Sequence, residues 1–146
     1  MPCKRPFLPK LKKQKILAQL KKDLDKVFNK FIRQRDQSHE NGFMCISCGD
    51  YKPTSLRDAG HFYSAGHHSA TRWDEDNCHG QCQRCNRFLH GNLLGYREGL
   101  LKKIGPERLE RLEIRRHNKN LMSPFEIQIL IDQYKLKFKD NITKTK

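Results

Sequence analysis

Two Cys-x-x-Cys pairs, Cys45/Cys48 and Cys82/Cys85, constrain this chain more than anything else in it. Each spacing lets two thiolates grip one metal ion, and four thiolates make the tetrahedral set that zinc takes in structural sites. Gly49, directly after the first pair, permits the tight turn such a knuckle requires. With 146 residues, 36% of them hydrophobic, and a mean hydropathy of −0.89, the chain can bury only a modest core. A bound metal is a common staple for such a domain. The pairs therefore read as one structural zinc site. A redox Cys-x-x-Cys is the alternative, but one pair would serve it and no thioredoxin-like βαβ pattern follows. Cys78 reads as a buried free thiol, since four other cysteines already complete the site. Cys3 stands apart.

A cytoplasmic protein is the expectation, and disulfides rarely persist in that compartment, so the paired cysteines point to metal or redox chemistry. No apolar run approaches the roughly 18 residues that span a bilayer. Met1 to Lys10 is basic and Pro-rich without the apolar stretch of a signal peptide. A net charge of +14 and a pI near 9.7 call for a polyanionic partner. Nucleic acid fits better than a membrane surface, because the Cys/His cluster accompanies the charge.

Residues 1–35 carry twelve Lys/Arg against Asp23 and Asp25, so this segment holds +10 of the +14. Within it Leu17, Leu20, Leu24, Val27, Phe28, Phe31 and Ile32 recur at helical spacing, which predicts an amphipathic helix over about 11–35. From Phe43 to Arg72, short aromatic and small-residue runs with Gly punctuation predict a knuckle and a strand through His61-Phe62-Tyr63. A loop and a second strand near Thr71-Arg72-Trp73 follow. Trp73, Phe62 and Tyr63 read as core. A helix is expected over 89–104 despite Gly91, Gly95 and Gly99, whose four-residue repeat would open one face to close backbone packing. Pro106 starts another helix to about Arg116. Ser123-Pro124-Phe125-Glu126 is a capping box opening the last one, and Asn141 to Lys146 are expected to fray. The expectation is an α+β fold. It comprises a basic helical arm (1–40), a zinc-stapled core (41–105) and C-terminal helices (106–146).

The chemistry-bearing residues lie between and just after the knuckles. Cutting a phosphodiester requires a base to activate water and a cation to take up charge. His61 can be the base, since imidazole titrates near neutral pH. Its ring must be held in one tautomer, a task for a carbonyl from Asn77. Asn86 and His90 are four residues apart and would share a helix face, able with Asp58 to offer two oxygens and a nitrogen to Mg²⁺ or Mn²⁺. His67 and His68 read as part of a DNA-facing loop. Lys21, Lys22, Arg33, Arg35, Arg72, Arg84 and Arg87 are the candidate phosphate contacts.

Cys-x-x-Cys, a strand ending in His, then Asn, then Cys-x-x-Cys-Asn-x-x-x-His resembles the HNH, or ββα-metal, nuclease motif on a treble-clef zinc scaffold. Cys85-Asn86 after the knuckle is similar to phage endonuclease VII. The longer string runs through Asp58-Ala59-Gly60-His61-Phe62, Gln81 to Leu89, Gly91-Asn92-Leu93, Tyr96-Arg97 and Ile104-Gly105-Pro106-Glu107-Arg108. It resembles the lambdoid phage NinG (Rap) recombination proteins over roughly 43–112. That resemblance implies a structure-selective endonuclease acting on Holliday junctions and D-loops. His61 would be its general base, Asn77 the orienting partner, Asn86 and His90 the catalytic metal ligands and Cys45, Cys48, Cys82 and Cys85 the zinc ligands.

One departure is that many HNH enzymes place a metal-binding Asp or His immediately before the base, where this chain has Gly60. Asp58, three residues before His61, would lie on the opposite strand face and serve only through a shift or bulge. A homodimer would supply the two cuts that symmetric junction resolution needs. Three other readings are a zinc-stapled DNA-binding module without catalysis, a sequence-specific homing or restriction-type HNH enzyme, and an RNA-binding zinc protein.

Overall fold

A computed structural model describes residues 10–38 and 41–144. Cys3, the basic stretch before Lys10, and Thr145 and Lys146 lie outside the described residues. Helix α1 (Lys10–Arg35) is the predicted amphipathic helix. Leu24, Phe28, Phe31 and Ile32, three or four residues apart, are buried against Ile127, Ile131 and Tyr134 of helix α4 (Pro124–Lys144), with Trp73 and Cys78 closing the cluster. Burial of such side chains contributes roughly 1.5–3 kcal/mol each. The basic helix is thus packed into the molecule along its apolar side. The predicted capping box forms at the start of α4. The Ser123 N–H donates to Glu126 Oε2 at 2.7 Å and the Glu126 N–H to Ser123 Oγ at 3.3 Å. The helix runs on to Lys144, past the expected fraying point.

Two antiparallel hairpins complete the architecture, a mixed α and small-β arrangement consistent with the expected α+β class. Strand β1 (Gly42–Met44) pairs with β2 (Tyr51–Pro53) around the first cysteine pair. Strand β3 (Arg57–His61) pairs with β4 (Cys78–Cys82), in a register running from Arg57 opposite Cys82 to His61 opposite Cys78. Here the structure corrects the sequence reading. The first strand ends at His61 instead of continuing through Tyr63, and Thr71-Arg72-Trp73 is not a strand. Ser69–Thr71 is a tight helical turn, and β4 takes the pairing. The cause lies at Asn77, whose side chain holds both the N–H and the carbonyl of Tyr63 and so takes them away from any ladder.

After β4 the chain makes one wide helical turn, Arg84–Phe88. His90, Gly91 and Asn92 then take left-handed backbone (φ 48°, 87° and 41°) before helix α2 (Leu93–Lys103) begins. The helix expected over 89–104 therefore starts four residues late, and Gly91 belongs to the turn. Gly95 and Gly99 do what their spacing predicts. A Cβ on either would collide with the backbone carbonyl of Ser47 or Ile46, so α2 lies directly on the first knuckle. Helix α3 (Pro106–Arg115) follows, its Leu109 and Leu112 buried with Tyr96 and Leu100. Asp36, at the end of α1, ties these parts together. Its carboxylate accepts from Arg35 at 2.9 Å, from Lys103 of α2 at 2.8 Å and from the Gly80 N–H of β4 at 2.7 Å.

Candidate active site and metal centre

The four knuckle cysteines converge as the sequence predicts. The Sγ atoms of Cys45, Cys48, Cys82 and Cys85 lie within 4.8 Å of one another, so they could hold a metal ion such as zinc. Backbone geometry assembles them. The Gly49 N–H closes onto the Cys45 carbonyl at 2.9 Å with φ of 72° at the glycine, and the Ile46 N–H bonds the Gly80 carbonyl at 3.0 Å, joining the first knuckle to β4. Donors also face the sulfurs: the Cys82 N–H to Cys45 at 3.3 Å, the Cys85 N–H to Cys82 at 3.5 Å and Asn92 Nδ2 to Cys85 at 3.5 Å. Hydrogen bonds of this kind orient sulfurs that would ligate a metal.

Beside this centre is a cleft of about 660 Å³. His61, Asn86 and His90 all line it, together with Tyr63, Arg97 and Arg116. The three residues reach it differently from expectation. His61 arrives at the end of β3, but His90 is delivered by the left-handed turn and not by a helical i, i+4 relation to Asn86. His67 and His68 line the same cleft, with His68 Nδ1 3.3 Å from the Arg116 carbonyl.

The His61 ring is fixed from both sides. Its Nε2 donates to the Arg72 carbonyl at 2.8 Å, and Nδ1 faces the Cys78 Sγ at 3.9 Å. Burial pushes its pKa below the ordinary histidine value, a shift that the bond to Arg72 and the charge of Asp25 oppose. Burial thus favours the neutral form of the ring. The expected orienting residue is displaced by one step. Asn77 is fully buried, and its side chain bonds the backbone of Tyr63 and Thr71, at 2.8 and 2.9 Å to Tyr63 and 2.9 Å to Thr71. It shapes the loop that presents Arg72, and the carbonyl that holds the imidazole belongs to Arg72. Cys78 is the buried free thiol expected, its pKa pushed far up by burial.

Asn86 Nδ2 donates to Asp58 Oδ2 at 3.0 Å, leaving Oδ1 without a hydrogen bond among the described residues. The exposed His90 ring makes none either. Asp58 does not line the cleft. Both its oxygens are taken by Arg87, at 2.7 Å each. Burial raises its pKa, but the bonds from Arg87 and Asn86 win and hold the carboxyl below the usual range.

Several candidate phosphate contacts are likewise engaged within the fold. Arg72 pairs with Asp25 through Nε at 2.9 Å, and Arg35 binds Asp36 and the Cys78 carbonyl. Lys22 and Arg84 are exposed, and Lys21 and Arg33 are half-buried on α1. Sequence reasoning missed Arg97 and Arg116, whose cleft placement depends on how α2 and α3 pack. It also missed Gln81, fully buried, whose Nε2 donates to the Gly91 carbonyl at 2.6 Å and to Ser47 Oγ at 2.7 Å, pinning the turn that carries His90.

The family model described as Bacteriophage Lambda NinG protein matches residues 4–144 of this chain. The chain belongs to the NinG family. Among its NinG relatives, the protein ninG of Escherichia phage 933W is 35% identical over 119 residues, covering 82% of this chain and 56% of the relative. Those of Escherichia phage lambda and Salmonella phage P22 are each 34% identical over 119 residues and 82% of this chain, covering 55% and 56% of their own lengths. The chain thus spans about half the length of the curated NinG proteins it matches. No solved structure matches it. Among the described residues, no helix is long and apolar enough to cross a membrane.

Proposed function

We propose that this chain is a metal-dependent, structure-selective DNA endonuclease of HNH type, cleaving branched recombination intermediates such as Holliday junctions and D-loops. The observation that carries the reading is the convergence of His61, Asn86 and His90 on one cleft, with Arg97 and Arg116 on its walls. Because His61 Nε2–H is committed to the Arg72 carbonyl, Nδ1 carries the lone pair. In this reading the weak 3.9 Å contact of that nitrogen with the Cys78 thiol gives way to a water, which yields its proton there as it attacks the scissile phosphate in line. Burial, which lowers the pKa of His61, favours the unprotonated ring that a base requires.

Two of the cleft residues offer donors to a divalent cation. Asp58 takes the Asn86 amide N–H, which leaves the amide oxygen for a metal, and the His90 imidazole is unengaged among the described residues. Asn86 and His90 would hold Mg²⁺ or Mn²⁺, which supplies charge neutralisation at the phosphate and at the departing 3′ oxygen. The products are 5′-phosphate and 3′-hydroxyl ends. Arg97 and Arg116 hold flanking phosphates, and α1 offers Lys22 and its neighbours to a duplex arm. Binding should therefore weaken steeply with salt.

One observation favours a second reading, a zinc-stapled DNA-binding module without catalysis: both His61 nitrogens face protein atoms. Incubating the protein with Mg²⁺ or Mn²⁺ and matched junction, D-loop and linear DNA separates the two. Cleavage at the branch supports the nuclease. No metal-dependent cleavage of any substrate overturns it in favour of the binding module. Cutting of linear duplex at one sequence assigns the site to a homing or restriction-type enzyme instead.

A further inference from the structure

The segment that carries His90 also carries four large apolar side chains with no core to join. Phe88 is 74% exposed, Leu89 44%, Leu93 51% and Leu94 85%, all within seven residues. Single exposed apolar residues are ordinary, but a group rimmed by charge marks a contact surface. Large apolar side chains are exposed elsewhere too, Leu121 and Phe125 among them, but these four are gathered within one short stretch around a built turn. The left-handed run His90-Gly91-Asn92 turns the chain, and the Gly91 carbonyl is tied to the fully buried Gln81 while its N–H bonds the Cys85 carbonyl at 2.9 Å. Leu93 and Leu94 line the cleft, and Arg97, three and four residues on, shares their helix face.

The surrounding charge says what the surface can meet. From Asn77 to Arg97 the chain carries Arg84, Arg87 and Arg97 and no carboxylate. Arg84 and Arg97 are exposed and make no ion pair among the described residues. A second copy of this chain docking by two-fold symmetry would bring these arginines against their own likeness. A nucleic-acid strand satisfies both halves of the surface, its phosphates on the arginines and its base faces on the apolar side chains.

We propose that Phe88, Leu89, Leu93 and Leu94 form a ledge that receives unstacked bases of DNA beside the cleft. Paired, stacked bases offer no free face, so the ledge discriminates opened or gapped DNA from continuous duplex. The proposal rests on the nuclease reading only for where the scissile phosphate lies. The ledge itself is tested by binding alone.

The experiment measures fluorescence anisotropy without divalent metal, using the His61→Ala background. It compares a gapped DNA with a fully paired duplex of the same length, for the parent and for a Phe88→Ser/Leu94→Ser double variant. Circular dichroism and zinc content serve as folding controls, since both side chains are exposed. The expected result is tighter binding of the gapped DNA by the parent, and a loss of about tenfold on that DNA alone in the double variant. Equal losses on both DNAs, or no loss, overturn the proposal. So does a parent dimer in sedimentation that the double variant dissolves, which would assign the ledge to self-association. Absence of cleavage by the unmutated protein would sink the nuclease reading while leaving a gap-selective ledge standing.

Discussion

The imidazole Nε2 of His61 donates to the backbone carbonyl of Arg72 at 2.8 Å, and the guanidinium of that same arginine is clamped to Asp25 of α1. Trp73 adds a third bond to Asp25 through Nε1 at 2.9 Å. The candidate base is therefore steadied by the long basic helix through one intermediate residue. The loop between β3 and β4, which carries little regular structure, is the part that transmits this.

Replacing His61 by Ala should lower metal-dependent junction cleavage by about 10²-fold or more, the usual contribution of a positioned base. Junction affinity and zinc content should be unchanged. Single-turnover cleavage beside a gel-shift titration checks both, and a variant that cuts at the parent rate removes His61 from the mechanism.

The pH dependence follows from the burial of His61. A base works when unprotonated, and burial moves this imidazole below the ordinary value of 6.5. Cleavage should then be level at neutral pH and fall on acidification with a midpoint below 6.5. The same titration with a midpoint above that value contradicts the assignment.

Cys82→Ser should lose both the metal and the fold, because binding energy on the order of 10 kcal/mol is folding energy in such sites. Cys78→Ala, by contrast, should retain one zinc per chain, since its sulfur lies outside the four-cysteine cluster. Metal analysis and thermal melting of the two variants make the comparison.

Arg72→Ala and Arg97→Ala should part company although both remove one positive charge. Loss of Arg72 breaks a bidentate pair that is about one-third exposed, so melting should fall by about 1–2 kcal/mol of stability. Loss of Arg97 should leave melting unchanged and reduce the slope of log affinity against log salt by about one.

The sequence disclosed the elements whose signal is local. The knuckle spacing, the capping box at Ser123 and the apolar stripe of α1 each need only a few neighbouring residues to be recognised. The pairing of β3 escaped because Cys78–Cys82 is buried along its whole length, so it shows none of the alternation by which a half-buried strand declares itself. The left-handed backbone at His90 had only the Gly-Asn pair after it as a hint. Arg35 and Arg72 were read as phosphate contacts because composition counts charges without revealing that Asp36 and Asp25 already take them. Asn77 and His61 fell in the same neighbourhood as expected, yet one backbone carbonyl separates their roles, and no residue type encodes a carbonyl.

Gly95 and Gly99 rest on Ser47 and Ile46, the two residues enclosed by the first cysteine pair. The wall bearing Leu93 and Arg97 is in effect bolted to the sulfur cage from behind, with no side-chain cushion between them. Any loosening of that cage must shift the cleft wall, so under the proposed nuclease reading a chelator strong enough to strip the cysteines would abolish cleavage without reaching the cleft at all.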